Sequence, residues 1–186
     1  VKPLLQHYGV KTSWLDLVDN VWVALWFACH RARTNGRTDE YLHFSRRTSV
    51  VDGGDGKYAY IVLVAVDRSE NQPVPGLEIG ENTEFIDLRV ATPSVFVRPH
   101  SQHGVLFRLR GGPERRKTDY SSSVVGVIRA SLKDATNWLG EGRLLDTHSL
   151  FPPPHYDKGY EILLKDLPER EGDVGEMIGS IHHVGA

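Results

Sequence analysis

The sharpest contrast between polar and apolar positions lies between Leu5 and Cys29. Polar Gln6, His7, Tyr8, Thr12, Asp16 and Asn20 lead into Val21–Cys29, which is apolar at every position. A helix that is apolar all round is a buried one. The spacing therefore predicts a central helix over about residues 21–32, with Asn20 as its N-cap. Polar groups beside a buried element are costly unless each is hydrogen-bonded or used, so a site is expected there.

Tyr58–Val66 (YAYIVLVAV) is apolar throughout and predicts a strand buried on both faces. Glu84–Val90 reads as a short element. Val95–Val97 and Gly104–Leu109 read as strands around a polar turn, Arg98–His103, and Ser123–Ala130 as a further strand. Leu132–Leu139 has a helical pattern, and Gly159–Lys165 fits helix or strand. Residues 1–20 look irregular or mixed. Residues 33–57 are polar and glycine-rich and read as a long surface insertion; 67–83 and 111–121 carry turn and loop chemistry. Helices and strands mix without strict alternation. The expected class is a single-domain α+β fold, its mixed or antiparallel sheet packed around the central apolar helix. The domain is expected over 1–168, with a frayed tail over 169–186.

Composition narrows the function classes. At 186 residues the chain suits one domain with a sizeable core. A formal charge of −2, from 22 basic and 24 acidic residues, argues against bulk electrostatic binding of nucleic acid or anionic membrane. Cys29 is the one cysteine and lies in the apolar run, so no intrachain disulfide forms and a small hydrophobe is the expected role. A reducing, cytoplasmic setting fits that usage. No apolar run reaches the ~20 residues of a membrane span, and no secretory leader is visible. The chain begins at Val1, without an initiator Met, and is expected to lack its N-terminal segment.

Several blocks resemble the FRG domain. Gln6-His7-Tyr8-Gly9, Thr12, Leu15-Asp16, Asn20, Val23-Ala24-Leu25 and Phe27-Ala28 follow its pattern QHYG-x-PT-x-LLDWT-x-NP-x-VAL-x-FA. Arg98, Gln102-x-Gly104 and Phe107 resemble its later R…Q-x-G-x-F motif, and Leu150-Phe151-Pro152 with Gly159 its FPDLDG-like segment. The Phe-Arg-Gly motif itself is absent, as expected for a chain that starts downstream of it. Ser13 stands where the family usually has Arg, and Leu17, Val18 and Val21 replace Trp, Thr and Pro. The resemblance implies a bacterial or phage protein, in some cases a toxin or defence effector. It names the domain without naming a reaction.

A likeness of arrangement alone points to ADP-ribosyltransferases, with NAD as candidate substrate and no cofactor otherwise implied. On that reading His7, or an arginine upstream of the chain, takes the first role in the nicotinamide cleft. Thr12 with Tyr8 takes the second, and Gln102 the third. Asp16 is the carboxylate placed to stabilise an oxocarbenium-like state. Gly9 and Gly104 permit close approach of a ligand, and Arg98 completes the binding set. The catalytic candidates are thus His7, Asp16 and Gln102.

The alternative is a noncatalytic module that binds a nucleotide, nucleic acid or protein through the same cleft. Arg108, Arg110, Arg115, Arg116 and Lys117 form a possible phosphate patch for it, although a solvated loop is the plainer reading. His100 and His103 bring two imidazoles close, but no His-Glu-x-x-His spacing and no cysteine pair accompany them, so no metal is assigned. Structural alternatives stand beside each candidate. His7 could be a neutral hydrogen-bonded core histidine, Thr12 and Asp16 could cap a short helical turn, and Arg98 could be a salt-bridge partner. The geometric expectation is that His7 and Gln102 share one pocket.

Overall fold

Asn20 starts the central helix as its sequence predicts. Its backbone is extended, and its Oδ1 accepts the Trp22 and Val23 N–H groups at 2.9 and 3.2 Å, satisfying donors that a helix start leaves unpaired. The computed structural model describes residues 2–9, 12–35, 41–48, 54–67, 73–111, 118–140 and 145–166.

In chain order the elements are α1 (Lys2–Gln6), β1 (Leu15–Val18), α2 (Val21–Cys29), β2 (His30–Asn35), β3 (Tyr41–Arg46) and β4 (Tyr58–Val64). There follow β5 (Leu77–Ile79), β6 (Thr83–Asp87), α3 (Leu88–Ala91), α4 (Val97–Ser101), β7 (Gly104–Leu109) and β8 (Val124–Ser131). The chain continues through α5 (Leu132–Leu139), α6 (Thr147–Leu150) and α7 (Lys158–Asp166). Among the described residues every strand pair is antiparallel: a four-stranded sheet in the order β1-β7-β6-β5 and two ribbons, β2-β3 and β4-β8. The fold is a single-domain α+β fold, as its pattern led one to expect.

The main core joins α2 to α5, the ribbon and the segment around α6. Val23, Leu25, Trp26 and Cys29 pack with Ala59, Leu132, Ala135, Leu139, Leu150 and Phe151. Each large apolar side chain buried this way contributes roughly 1.5–3 kcal/mol. Phe44 stacks on Phe151 at 4.6 Å and ties the β2-β3 hairpin to this core. A second cluster, Ile86, Leu88 and Leu106 with Trp14 and Leu77, lies against the four-stranded sheet.

Several expectations need correction. The central helix ends at Cys29, because His30 turns extended and opens β2. Its first two residues are not buried: Val21 is 60% and Trp22 50% exposed. Part of the supposed insertion 33–57 is the β2-β3 hairpin, while 36–40 and 49–53 lie outside the described residues. Val95–Val97 is not a strand; the chain coils into α4 from Val97, and the supposed polar turn is largely that helix. Pro99 is tolerated there because the first turn of a helix does not need its missing N–H. Residues 1–20 hold both α1 and β1, and 159–165 is helical.

The strand Tyr58–Val66 exists as β4 but is not buried on both faces. Ala59 is buried and Ile61 packs on the core, while Tyr60 and Val62 stand 42% and 51% exposed. Among the described residues β4 pairs only with β8, and Leu63, on the same face as Ala59 and Ile61, is also 42% exposed. The expected tail, 169–186, lies outside the described residues.

Candidate functional site

The polar string resolves into three separate attachments. After α1 the chain closes with Tyr8 N–H donating to Leu5 O at 3.0 Å and Gly9 N–H to Gln6 O at 3.0 Å. Gly9 has φ +97°, a conformation that glycine adopts without a Cβ penalty. This turn sends Gln6, His7 and Tyr8 to different partners. Gln6 Nε2 donates to Trp14 O at 3.0 Å, and its Oε1 takes the Thr12 hydroxyl. Thr12 Oγ1 also accepts the Trp14 N–H. Thr12 and Asp16 therefore do not cap a helical turn; Asp16 sits in β1 opposite Leu106 of β7.

His7 reaches across to the far half of the chain. Gln102 Nε2 donates to Leu150 O at 2.8 Å, which turns the amide oxygen toward the imidazole. His7 Nδ1–H donates to that oxygen at 3.1 Å. The proton is thereby held on Nδ1, and Nε2 presents its lone pair. Nε2 has no hydrogen-bond partner and lies 3.4 Å from Asp16 Oδ1. Burial pushes the His7 pKa below its ordinary value of 6.5, against the opposing pull of the Asp16 carboxylate and the Gln102 hydrogen bond. A lone pair facing a carboxylate leaves a place for one proton or one donor. The ring also needs Gly104: a Cβ there would stand 2.5 Å from His7 Cε1.

Tyr8 and Arg98 belong to a buried hub behind His7. Asp157 is fully buried and accepts from Tyr8 Oη at 2.7 Å, Arg98 N at 3.0 Å and Tyr160 N at 3.0 Å. Burial, then Asp157, pushes the Tyr8 hydroxyl upward. The Arg98 guanidinium is also fully buried, 4.7 Å from the Tyr8 ring centroid and 4.6 Å from that of Tyr160. Its Nη1 donates to His7 O at 2.8 Å. Burial pulls its pKa down, with Tyr160, Tyr8 and Asp157 acting against that shift. Arg98 thus supports the backbone of His7 from the side away from solvent.

In front of His7 lies a cavity of about 820 Å³, between β1 and α2 on one side and the β4-β8 ribbon on the other. That volume falls within the range of small-molecule sites. Its polar end is built by Gln6, His7, Asp16, Asp19, Asn20 and Gln102; most of the remaining wall is apolar, including Phe27, Tyr60, Phe85 and Phe151. No Lys or Arg lines it among the described residues. Asp19 is held by Arg89, whose Nη1 lies 2.9 Å from Asp19 Oδ1. Arg89 also binds Asp87, whose carboxyl it holds below the usual range.

The structure brings His7, Gly9, Asp16 and Gln102 to the cavity, whereas Tyr8, Thr12, Arg98 and Gly104 do not line it. His7 and Gln102 share the pocket as the sequence led one to expect. Two parts of the site escaped sequence reasoning. Asp157 follows the Leu150-Phe151-Pro152 block, but no motif position marked it. The ribbon wall was hidden because its apolar residues read as core. Of the basic patch, Arg108 pairs with Glu84 and stacks 4.4 Å from the Trp14 centroid, and Arg110 donates to Gly80 O. Residues 115–117 lie outside the described residues. His103 faces Arg89 and Asn20, and no group of three metal-ligating side chains occurs among the described residues.

The fold and site define an α+β domain with a histidine–carboxylate pair at the end of a largely apolar cavity. The family model of the FRG domain matches residues 2–37, the part that carries His7, Gly9, Asp16 and Asn20. Gln102 and the ribbon lie beyond the matched span. No curated protein and no solved structure matches the chain. Among the described residues no helix is long and apolar enough to cross a membrane.

Proposed function

We propose that the cavity is an active site for a nucleotide-type substrate, with NAD as the candidate, acting at an N-glycosidic bond in the manner of an ADP-ribosyltransferase. The observation that supports this most is the imidazole of His7, its proton fixed on Nδ1 by Gln102 and its free Nε2 directed at Asp16. As the bond to the departing base breaks, its electron pair leaves with the base and positive charge grows at the sugar carbon. Asp16 is placed to stabilise that charge. An attacking hydroxyl or water then gives its proton to His7 Nε2, whose lone pair is left free because Nδ1 carries the proton toward Gln102. The apolar wall suits the planar base. A toxin or defence setting in a bacterial cytoplasm rests on the FRG resemblance.

A second reading, noncatalytic binding, draws on the same apolar wall. NAD turnover by the protein, by His7→Ala and by Gln102→Ala separates the two. The enzyme reading expects a loss of about 10²–10³-fold in the His7 variant. Equal inertness of all three toward NAD, other nucleotides and RNA removes it, and ligand binding without turnover then supports the second reading.

A further inference from the structure

The charges around the cavity are uneven. Two carboxylates, Asp16 and Asp19, stand at its polar end, and no Lys or Arg lines it among the described residues. Asp19 is compensated by Arg89. Asp16 faces, among the described residues, only the uncharged His7 ring, and its side chain is 52% exposed. Arg98 is buried and turned to the His7 backbone carbonyl.

The second observation is independent of the acidic pair. The His7 side chain is only 4% exposed, lines the cavity, and leaves Nε2 without a hydrogen-bond partner. A buried polar atom of this kind is expensive unless something arrives to satisfy it. Around it the wall offers aromatic faces, Phe27, Phe85 and Phe151 among them, which attract cations as well as flat apolar rings. A phosphate finds the opposite conditions there: a carboxylate close by and no guanidinium or ammonium on the wall.

We infer that the cavity selects the charge of its ligand: it takes a planar aromatic cation, of the N-substituted pyridinium class, and excludes phosphate from its polar end. This rests on the cavity being the site proposed above, and it adds an orientation: the nicotinamide–ribose end enters and the diphosphate stays outside.

The test is calorimetric titration of the protein with three probes: 1-methylnicotinamide (a cation), nicotinamide (neutral) and ADP-ribose (anionic). The expected result is binding of the cation at least about tenfold tighter than nicotinamide, an effect of the size expected for one partly screened charge, with ADP-ribose weakest. Asp16→Asn, at a half-exposed position, should bring the two nicotinamides to similar affinity. Asp19→Asn, already paired to Arg89, should change the ratio less. Equal affinities in the unaltered protein, an unchanged ratio in Asp16→Asn, tight ADP-ribose binding, or no binding of the cation each overturns the inference. Cation preference without NAD turnover keeps this inference and removes the enzymatic reading. Turnover without cation preference does the reverse.

Discussion

His7 Nδ1 and Gln102 Oε1 lie 3.1 Å apart although 95 positions separate them in the chain. Gln102 is anchored at its other end by Leu150 O, so the amide cannot rotate without breaking two hydrogen bonds. It decides which imidazole nitrogen carries the proton. Replacing Gln102 with Leu should leave a buried N–H and a buried carbonyl unpaired, at about 1–3 kcal/mol each. The ring is then free to move its proton to Nε2, toward Asp16. Urea unfolding measures the first effect, and nitrogen-15 chemical shifts of the His7 ring report the second. A ring that stays in the Nδ1–H form in Gln102→Leu contradicts this account.

Gly104 gives the imidazole its seat. An added methyl group would meet Cε1 at 2.5 Å and Nε2 at 3.0 Å, distances that force the ring aside. Gly104→Ala is expected to cost about 1–3 kcal/mol, in line with other overpacked interiors. In a domain of this size that is a fall of several degrees in Tm, at roughly 2–4 °C per kcal/mol. The ring should lose its Gln102 hydrogen bond as well, so any turnover should fall more than stability alone would dictate. Thermal unfolding and NAD assays on the same sample compare the two losses.

Stability should depend on pH through His7. Its folded pKa lies below the ordinary 6.5 because burial disfavours the charged ring. The unfolded chain therefore binds the proton more readily than the folded one. The stabilising contribution is fully present above pH 6.5, declines as the pH falls below it, and levels off under the folded pKa. His30, also lowered by burial, adds to the same trend. Urea midpoints at pH 7.5 and 5.5 should show a smaller drop for His7→Gln than for the unaltered protein. Identical drops in the two proteins dispose of the His7 assignment.

Asp157 should be among the costliest positions to alter. Asp157→Ala leaves Tyr8 Oη, Arg98 N and Tyr160 N without their acceptor, beside a buried guanidinium. A loss of about 3–5 kcal/mol is expected, as for other broken buried charge networks. Tyr8→Phe removes one of those bonds and keeps the ring under Arg98, so about 1–2 kcal/mol should suffice. Chemical denaturation ranks the pair. A Tyr8→Phe variant as unstable as Asp157→Ala would mean that the hub is not organised around the carboxylate.

Local signals told much of the fold in advance. Leu132–Leu139 alternates buried and exposed positions at helical spacing, Gly104–Leu109 forms a strand with the expected bounds, and Asn20 caps as its side chain allows. The errors arose where tertiary context decided. Valines at 95 and 97 suggested a strand, yet the chain coils there, with Arg98 N–H drawn to Asp157 from a distant segment. The β2-β3 hairpin is polar and gives no alternating signal; Phe44 does much of its anchoring. β4 looked like core because every residue in it is apolar, but Tyr60, Val62 and Leu63 stay exposed along the cavity. The site was half legible for the same reason. His7, Asp16 and Gln102 stand out as polar residues in apolar company, whereas the wall opposite them is built from residues that resemble any interior.

The contacts of Asp157 also set an order of assembly. His7 leaves the ribosome well before Gln102, Leu150 and Asp157 have been made. Until the hub closes, the nascent segment has no acceptor for Tyr8 and no guanidinium behind the His7 carbonyl. The proton arrangement of the imidazole is therefore acquired only after Gln102 and Leu150 have been made. A fragment cut before Gln102 would carry the histidine without its tautomer lock, so the Nδ1–H form of the imidazole waits on a residue 95 positions downstream.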